Sequence, residues 1–120
     1  MALPTAAGAG RGGFSRQQKE VVLAFLRNNL SQRFTMGEVA RQVELNPDYF
    51  SRQFRKTFGV PPKEWITRAR VYRAAAQLLE TDMRIKQVAA DLGYDDLYFF
   101  SRQFKRVMGR CPRKYRAKGQ

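Results

Sequence analysis

The chain contains no histidine and only one cysteine, Cys111. Without imidazole, a Cys/His zinc site and a Cys-His nucleophile both lack their parts. Cys111 has no partner for an internal disulfide, which suits a reducing cytoplasm. Acidic residues are scarce too: 10 Asp and Glu stand against 23 Lys and Arg, for a net charge of +13. From Leu97 to Gln120 there is no acidic residue at all. No apolar run approaches the roughly 18 residues that a membrane-spanning helix needs. Neither enzymatic activity nor a cofactor is expected.

What is present is a positive field large enough to favour a polyanion. An anionic membrane surface is the weaker candidate, because the basic residues fall on short, well-punctuated helices with buried faces of their own. At 120 residues there is room for one domain, or two small lobes sharing a long element.

The chain is organised around a repeat. Phe50-Ser51-Arg52-Gln53-Phe54 returns unchanged as Phe100-Ser101-Arg102-Gln103-Phe104. A basic pair follows each copy (Arg55-Lys56, Lys105-Arg106), then Gly59 or Gly109, then Pro62 and Trp65 or Pro112 and Tyr115. A period of this length marks a duplicated supersecondary unit. At about 100° per residue, Phe50, Phe54 and Phe58 form one apolar stripe, with Phe100, Phe104 and Met108 as its twin. The opposite face carries Asp48, Arg52, Arg55 and Lys56 in one copy and Tyr98, Arg102, Lys105 and Arg106 in the other. A basic face is ordinarily only solvated surface, but two equal faces suggest two equal tasks.

Taken in order, residues 1–14 are Ala/Gly-rich and read as a disordered linker or an expression remnant, with no signal-peptide core. Ser15 and Gln18 make a capping box for a first helix to about Asn29, with Val22, Phe25, Leu26 and Leu30 inward. Thr35 and Glu38 open a short second helix through about Val43, burying Val39, Ala40 and Val43. Glu44-Leu45-Asn46 is the turn, with Asn46 as cap and Pro47 in the first helical position. Glu44 is a strained choice if that backbone is left-handed. The first helix-turn-helix therefore covers about 35–58. A long linker helix follows over about 62–80, with Trp65, Ile66, Ala69, Tyr72, Ala76 and Leu79 inward. The second helix-turn-helix covers about 84–108, with Ile85, Val88, Ala89 and Leu92 as core and Asp95 as cap. Its Ala89-to-Phe100 interval is one residue longer than Ala40 to Phe50. Pro112 starts a last turn packing Tyr115, and the tail frays from Arg116. The fold class is all-α, with two helix-turn-helix subdomains and about seven helices. The linker helix is roughly 28 Å long at about 1.5 Å per residue. Successive major-groove faces of B-DNA lie roughly 34 Å apart, a separation such a connector suits.

One domain is expected over 15–120, and about residues 15 to 116 of it resemble the DNA-binding domain of the AraC/XylS family of bacterial transcription regulators. The resemblance is most specific in the second unit, Ile85-x-x-Val88-Ala89-x-x-x-Gly93-Tyr94-x-Asp96-x-x-Phe99-Phe100-Ser101-Arg102-x-Phe104-Lys105-x-x-x-Gly109-x-x-Pro112-x-x-Tyr115-Arg116. It implies seven helices in two lobes, with the third and sixth in neighbouring major grooves of double-stranded DNA. Carried over by position, the base-facing candidates are Asp48, Ser51, Arg52 and Arg55, and then Leu97, Tyr98, Ser101 and Arg102. Arginine suits the role because its planar fork grips guanine O6 and N7 together. Lys56, Lys105, Arg106 and Arg113 are the phosphate-contact candidates, together with helix N-termini. Asp48 either accepts from a cytosine amine or orients Arg52. Leu97 and Tyr98 point to contact with thymine methyls, or to reading of DNA shape.

The reading that follows is a sequence-specific double-stranded DNA-binding domain of a cytoplasmic bacterial regulator. A non-specific architectural DNA binder and a basic adaptor for an acidic protein are the alternatives. The resemblance also implies a separate sensor or dimerisation domain, for which this chain has no room. The segment is expected to be monomeric in isolation, and to meet RNA polymerase if the regulator is an activator.

Overall fold

The computed structural model describes residues 12–119. Seven helices make up its regular structure, with no strand among the described residues. They are α1 (Arg16–Asn28), α2 (Met36–Arg41), α3 (Pro47–Phe58), α4 (Pro62–Glu80), α5 (Ile85–Asp91), α6 (Leu97–Met108) and α7 (Pro112–Lys118). The chain divides into two compact units, Met1–Ile66 and Thr67–Gln120.

Local sequence chemistry sets most helix ends. Both capping boxes form: Ser15 with Gln18 on α1, and Thr35 with Glu38 on α2. Asn46 Oδ1 accepts from the Tyr49 N–H at 2.8 Å to start α3. Gly59 and Gly109 end α3 and α6 at φ 82° and 87°, a left-handed conformation that glycine adopts without Cβ strain.

In the first unit the α3 stripe is fully used. Phe50, Phe54 and Phe58 are buried together with Val22, Leu26, Leu30, Val39, Ala40, Trp65 and Ile66. The Trp65 ring meets Phe54 edge-on at 6.3 Å. Phe25 and Val43 are only half-buried, and Phe25 packs instead against Phe34 at 5.6 Å. The expectation of a disordered 1–14 segment lies outside the described residues up to Arg11, and at Phe14 the structure differs from it. Phe14 packs against Phe50, Phe54 and Phe58 at 5.4, 6.2 and 6.4 Å. Its N–H donates to Thr57 Oγ1 at 2.7 Å, and that buried hydroxyl donates to the Gln53 carbonyl at 2.8 Å. A buried hydroxyl left without partners would be costly, and here both of its roles are filled.

In the second unit Val71, Ala74, Ala75 and Leu78 of α4 bury against Val88, Ala89, Leu92, Phe100 and Phe104. Tyr115 meets Phe104 edge-on at 5.4 Å, the counterpart of Trp65 on Phe54. Ile85 and Met108 stand at the margin of this cluster. The inner face expected for α4 is corrected. Trp65, Ile66 and Ala69 are buried, but Ala76 and Leu79 are exposed and Tyr72 only half-buried. On a helical wheel, Val71, Ala74, Ala75 and Leu78 fall on the side opposite Trp65 and Ile66. One continuous stripe was the wrong template, because α4 serves two cores in succession.

Two further expectations give way. The cap of α6 is Asp96, not Asp95: its Oδ1 accepts from Tyr98 N–H at 2.8 Å and Phe99 N–H at 3.2 Å. The tail does not fray at Arg116, since α7 continues to Lys118. Arg116 Nε donates to the Leu78 carbonyl at 2.9 Å, and another guanidinium nitrogen donates to that of Thr81 at 3.3 Å. The last turn of α4 carries no basic residue of its own, so Arg116 brings the cation that helix C-termini favour.

Candidate nucleic-acid interface

The two turns that present α3 and α6 close in the same way. Leu45 N–H donates to the Ala40 carbonyl at 3.1 Å, and Tyr94 N–H to that of Ala89 at 3.0 Å. One residue earlier, Glu44 N–H donates to Arg41 and Gly93 N–H to Ala90, at 3.1 and 3.0 Å. This paired closure is the Schellman arrangement, which needs a left-handed residue at its centre. Glu44 at φ 57° and Gly93 at φ 83° supply it. The extra residue of the second unit is Asp95, inserted between that closure and the cap, so everything beyond Asp96 returns to the register of the first unit.

Burying the phenylalanines turns the other face of each helix outward. On α3, Asp48, Arg52, Arg55 and Lys56 are exposed and Ser51 half-buried. On α6, Leu97, Tyr98, Arg102, Lys105 and Arg106 are exposed and Ser101 half-buried. Arg113 is exposed on α7. Every site candidate is thus reachable from solvent, and the base-facing ones lie on the two helices expected of them.

The structure adds partners that sequence reasoning missed. The Arg52 guanidinium lies over the Tyr49 ring, 5.8 Å from its centroid, and not against Asp48. Tyr49, at 42% exposure, gives the arginine an aromatic platform. Its signal was available in the i, i+3 spacing. On α6, two guanidinium nitrogens of Arg106 donate to Gln103 Oε1 at 3.0 and 3.3 Å, which holds this cation along the helix. Ser51, Arg52 and Arg55 share a cleft of about 320 Å³ with Met36, Pro61, Pro62 and Lys63. Lys63, absent from the expected set, therefore lines the same cleft as Arg55.

The N-termini of α3 and α6 are engaged within the chain. Asn46 and Asp96 accept from the first-turn amides of Tyr49, and of Tyr98 and Phe99. Those three amides are therefore satisfied within the chain. Behind α6, Tyr94 packs on Phe99 and Phe100 at 6.0 and 5.1 Å. Burial raises its phenol pKa, against the pull of Arg70 and Arg106, and burial lowers that of the Arg70 guanidinium. The Cys111 thiol pKa is pushed down, chiefly by the Lys114 backbone N–H. Among the described residues no group of His, Cys, Asp and Glu could hold a metal, and no helix is long and apolar enough to cross a membrane.

Two helix-turn-helix units, each presenting a basic helix on an aromatic core, define a helix-turn-helix nucleic-acid-binding protein. A family model described as "Helix-turn-helix domain" matches residues 39–118. The arabinose operon regulatory protein of Escherichia coli is 36% identical over 84 residues, 70% of this chain and 29% of that protein. Among solved structures, the C-terminal domain of AraT, a response regulator from Geobacillus stearothermophilus, superposes with a TM-score of 0.80 at 30% identity. The match covers 87% of this chain and 86% of that one. The DNA-binding domain of AdpA, solved with a target DNA, gives 0.79 at 29% identity, over 87% and 93% of the two chains. The chain belongs to the AraC/XylS family of transcription regulators, as a helix-turn-helix DNA-binding domain. It spans about a third of the length of several curated relatives that it matches.

Proposed function

We propose that residues 15–120 read a specific double-stranded DNA site with two unequal heads on one chain. Each reading helix takes its own major groove, α3 through Asp48, Ser51, Arg52 and Arg55, and α6 through Leu97, Tyr98, Ser101 and Arg102. Lys56, Lys105, Arg106 and Arg113 meet phosphates, with Lys63 added to that set by the cleft it shares with Arg55. The observation that carries this reading is the recurrence of an outward Ser-Arg pair at one register on two helices with the same aromatic core. The role is recognition without catalysis, in the bacterial cytoplasm, by a segment that is monomeric in isolation. Relatives named as activators make contact with RNA polymerase part of the proposal.

The test is a titration of a selected duplex against random duplex at two salt concentrations. A specific reader prefers the selected duplex at both. An architectural binder shows equal affinities, and an adaptor for acidic proteins binds neither duplex.

A further inference from the structure

The two reading helices are alike in core, cap position and Ser-Arg pair, yet they differ in the first turn. Where α3 has Pro47-Asp48-Tyr49, α6 has Leu97-Tyr98-Phe99. The latter three stand 43%, 82% and 44% exposed, an unbroken apolar patch at the tip of a basic helix. Tyr98 shares one stripe with Arg102 and Lys105, at i, i+4 and i+7. A partner that covers Tyr98 must therefore also satisfy two cations. Directly behind the patch, the Asp96 carboxylate occupies the Tyr98 and Phe99 amides, so the tip repels phosphate. An anionic partner that offers an apolar group away from its phosphates meets both conditions. The major groove does so at thymine, whose C5-methyl is the one apolar feature on its floor.

Resting on the DNA-reading function proposed above, we infer that the first turn of α6 recognises C5-methyl groups through Leu97 and Tyr98. The corresponding turn of α3 offers Asp48, which accepts from a base amino group. The second subsite is thus read for a methyl and the first for a donor, although both helices deliver the same arginine. Because the recognised feature is the methyl and not the pairing edge, deoxyuridine is the diagnostic probe.

The experiment begins with duplexes selected by this chain from a random pool. Each thymidine is then replaced singly by deoxyuridine, which removes one methyl and leaves the base pair intact. At one or two thymidines in the half that Arg102→Ala relaxes, affinity should fall about fourfold per methyl. The half that Arg52→Ala relaxes should be indifferent. In Tyr98→Ala, a change at a solvent-exposed position, the thymidine-to-deoxyuridine difference should vanish. Specific binding with no deoxyuridine penalty, or with no thymidine selected in that half, overturns methyl reading and leaves the DNA-reading function standing. Failure to select any duplex overturns both. Full DNA affinity in Leu97→Ala and Tyr98→Ala also overturns it, and assigns the patch to a protein partner.

Discussion

Glu44 and Gly93 hold the same left-handed station in the two turns, at φ 57° and 83°. Each lies four residues beyond the alanine whose carbonyl accepts the closing bond, Ala40 or Ala89. Glycine takes this conformation freely, whereas an L side chain pays for it in contact between Cβ and its own carbonyl. The first turn of this protein therefore carries strain that the second does not. Glu44→Gly should stabilise the first unit by about 0.5 to 1 kcal/mol, and Gly93→Ala should destabilise the second by about 1 to 2 kcal/mol. Urea or thermal melts of the two variants provide the check. Equal and small shifts at both sites would argue against strain at Glu44.

Phe54 and Phe104 are wholly buried at matching positions. Phe54 meets Phe50, Phe58 and Trp65 at 5.8, 4.5 and 6.3 Å, and Phe104 meets Phe100 and Tyr115 at 5.8 and 5.4 Å. Replacing either by alanine leaves a cavity that rigid neighbours fill incompletely, at a cost of about 3 to 5 kcal/mol. That is a large share of a small unit's stability. Melting within a degree or two of wild type would be incompatible with these packed cores.

Arg116 ties α7 to the last turn of α4 through the Leu78 and Thr81 carbonyls. Its site is partly open to solvent, so Arg116→Ala should cost about 1 to 2 kcal/mol. Amide exchange at the end of α4 should rise in the same variant. Arg116→Lys keeps the charge without the fork and should recover only part of the loss.

DNA binding should depend steeply on salt, because each neutralised phosphate releases counterions. With roughly 6 to 10 phosphate contacts, affinity falls by about 10³ to 10⁵ between about 50 and 200 mM salt. A nearly flat response in a filter-binding or anisotropy titration would contradict a phosphate-gripping surface.

Arg52 and Arg102 are chemically equivalent but should address different base pairs. Arg52→Ala should lose roughly 1 to 3 kcal/mol of discrimination at its own subsite and leave the other intact. Arg102→Ala should do the reverse, and the losses should add in the double variant. Duplexes mutated in one subsite or the other give the answer. Uniform weakening on every sequence is what two merely solvated arginines would produce.

Much of the fold was legible because its signals are local. A capping box, a left-handed glycine after a helix and a phenylalanine every fourth residue each act within one turn of helix, where sequence spacing is spatial spacing. The outward basic faces of α3 and α6 were legible for the same reason: once the phenylalanines are buried, the opposite face has nowhere to point but outward. Only the tertiary structure decided what depends on distant parts of the chain. It seated Phe14 on the rings of α3, across 43 residues, through the Thr57 hydroxyl. It reversed the buried face of α4 between Ile66 and Val71, because that helix leaves one core and enters another. It moved the α6 cap to Asp96, since Asp95 falls in the extra residue after the turn has closed. And it kept α7 folded through Arg116, whose partners are carbonyls 35 and 38 residues earlier in the chain. Spacing along the chain cannot encode such choices, because each is fixed by which surface the rest of the molecule leaves open.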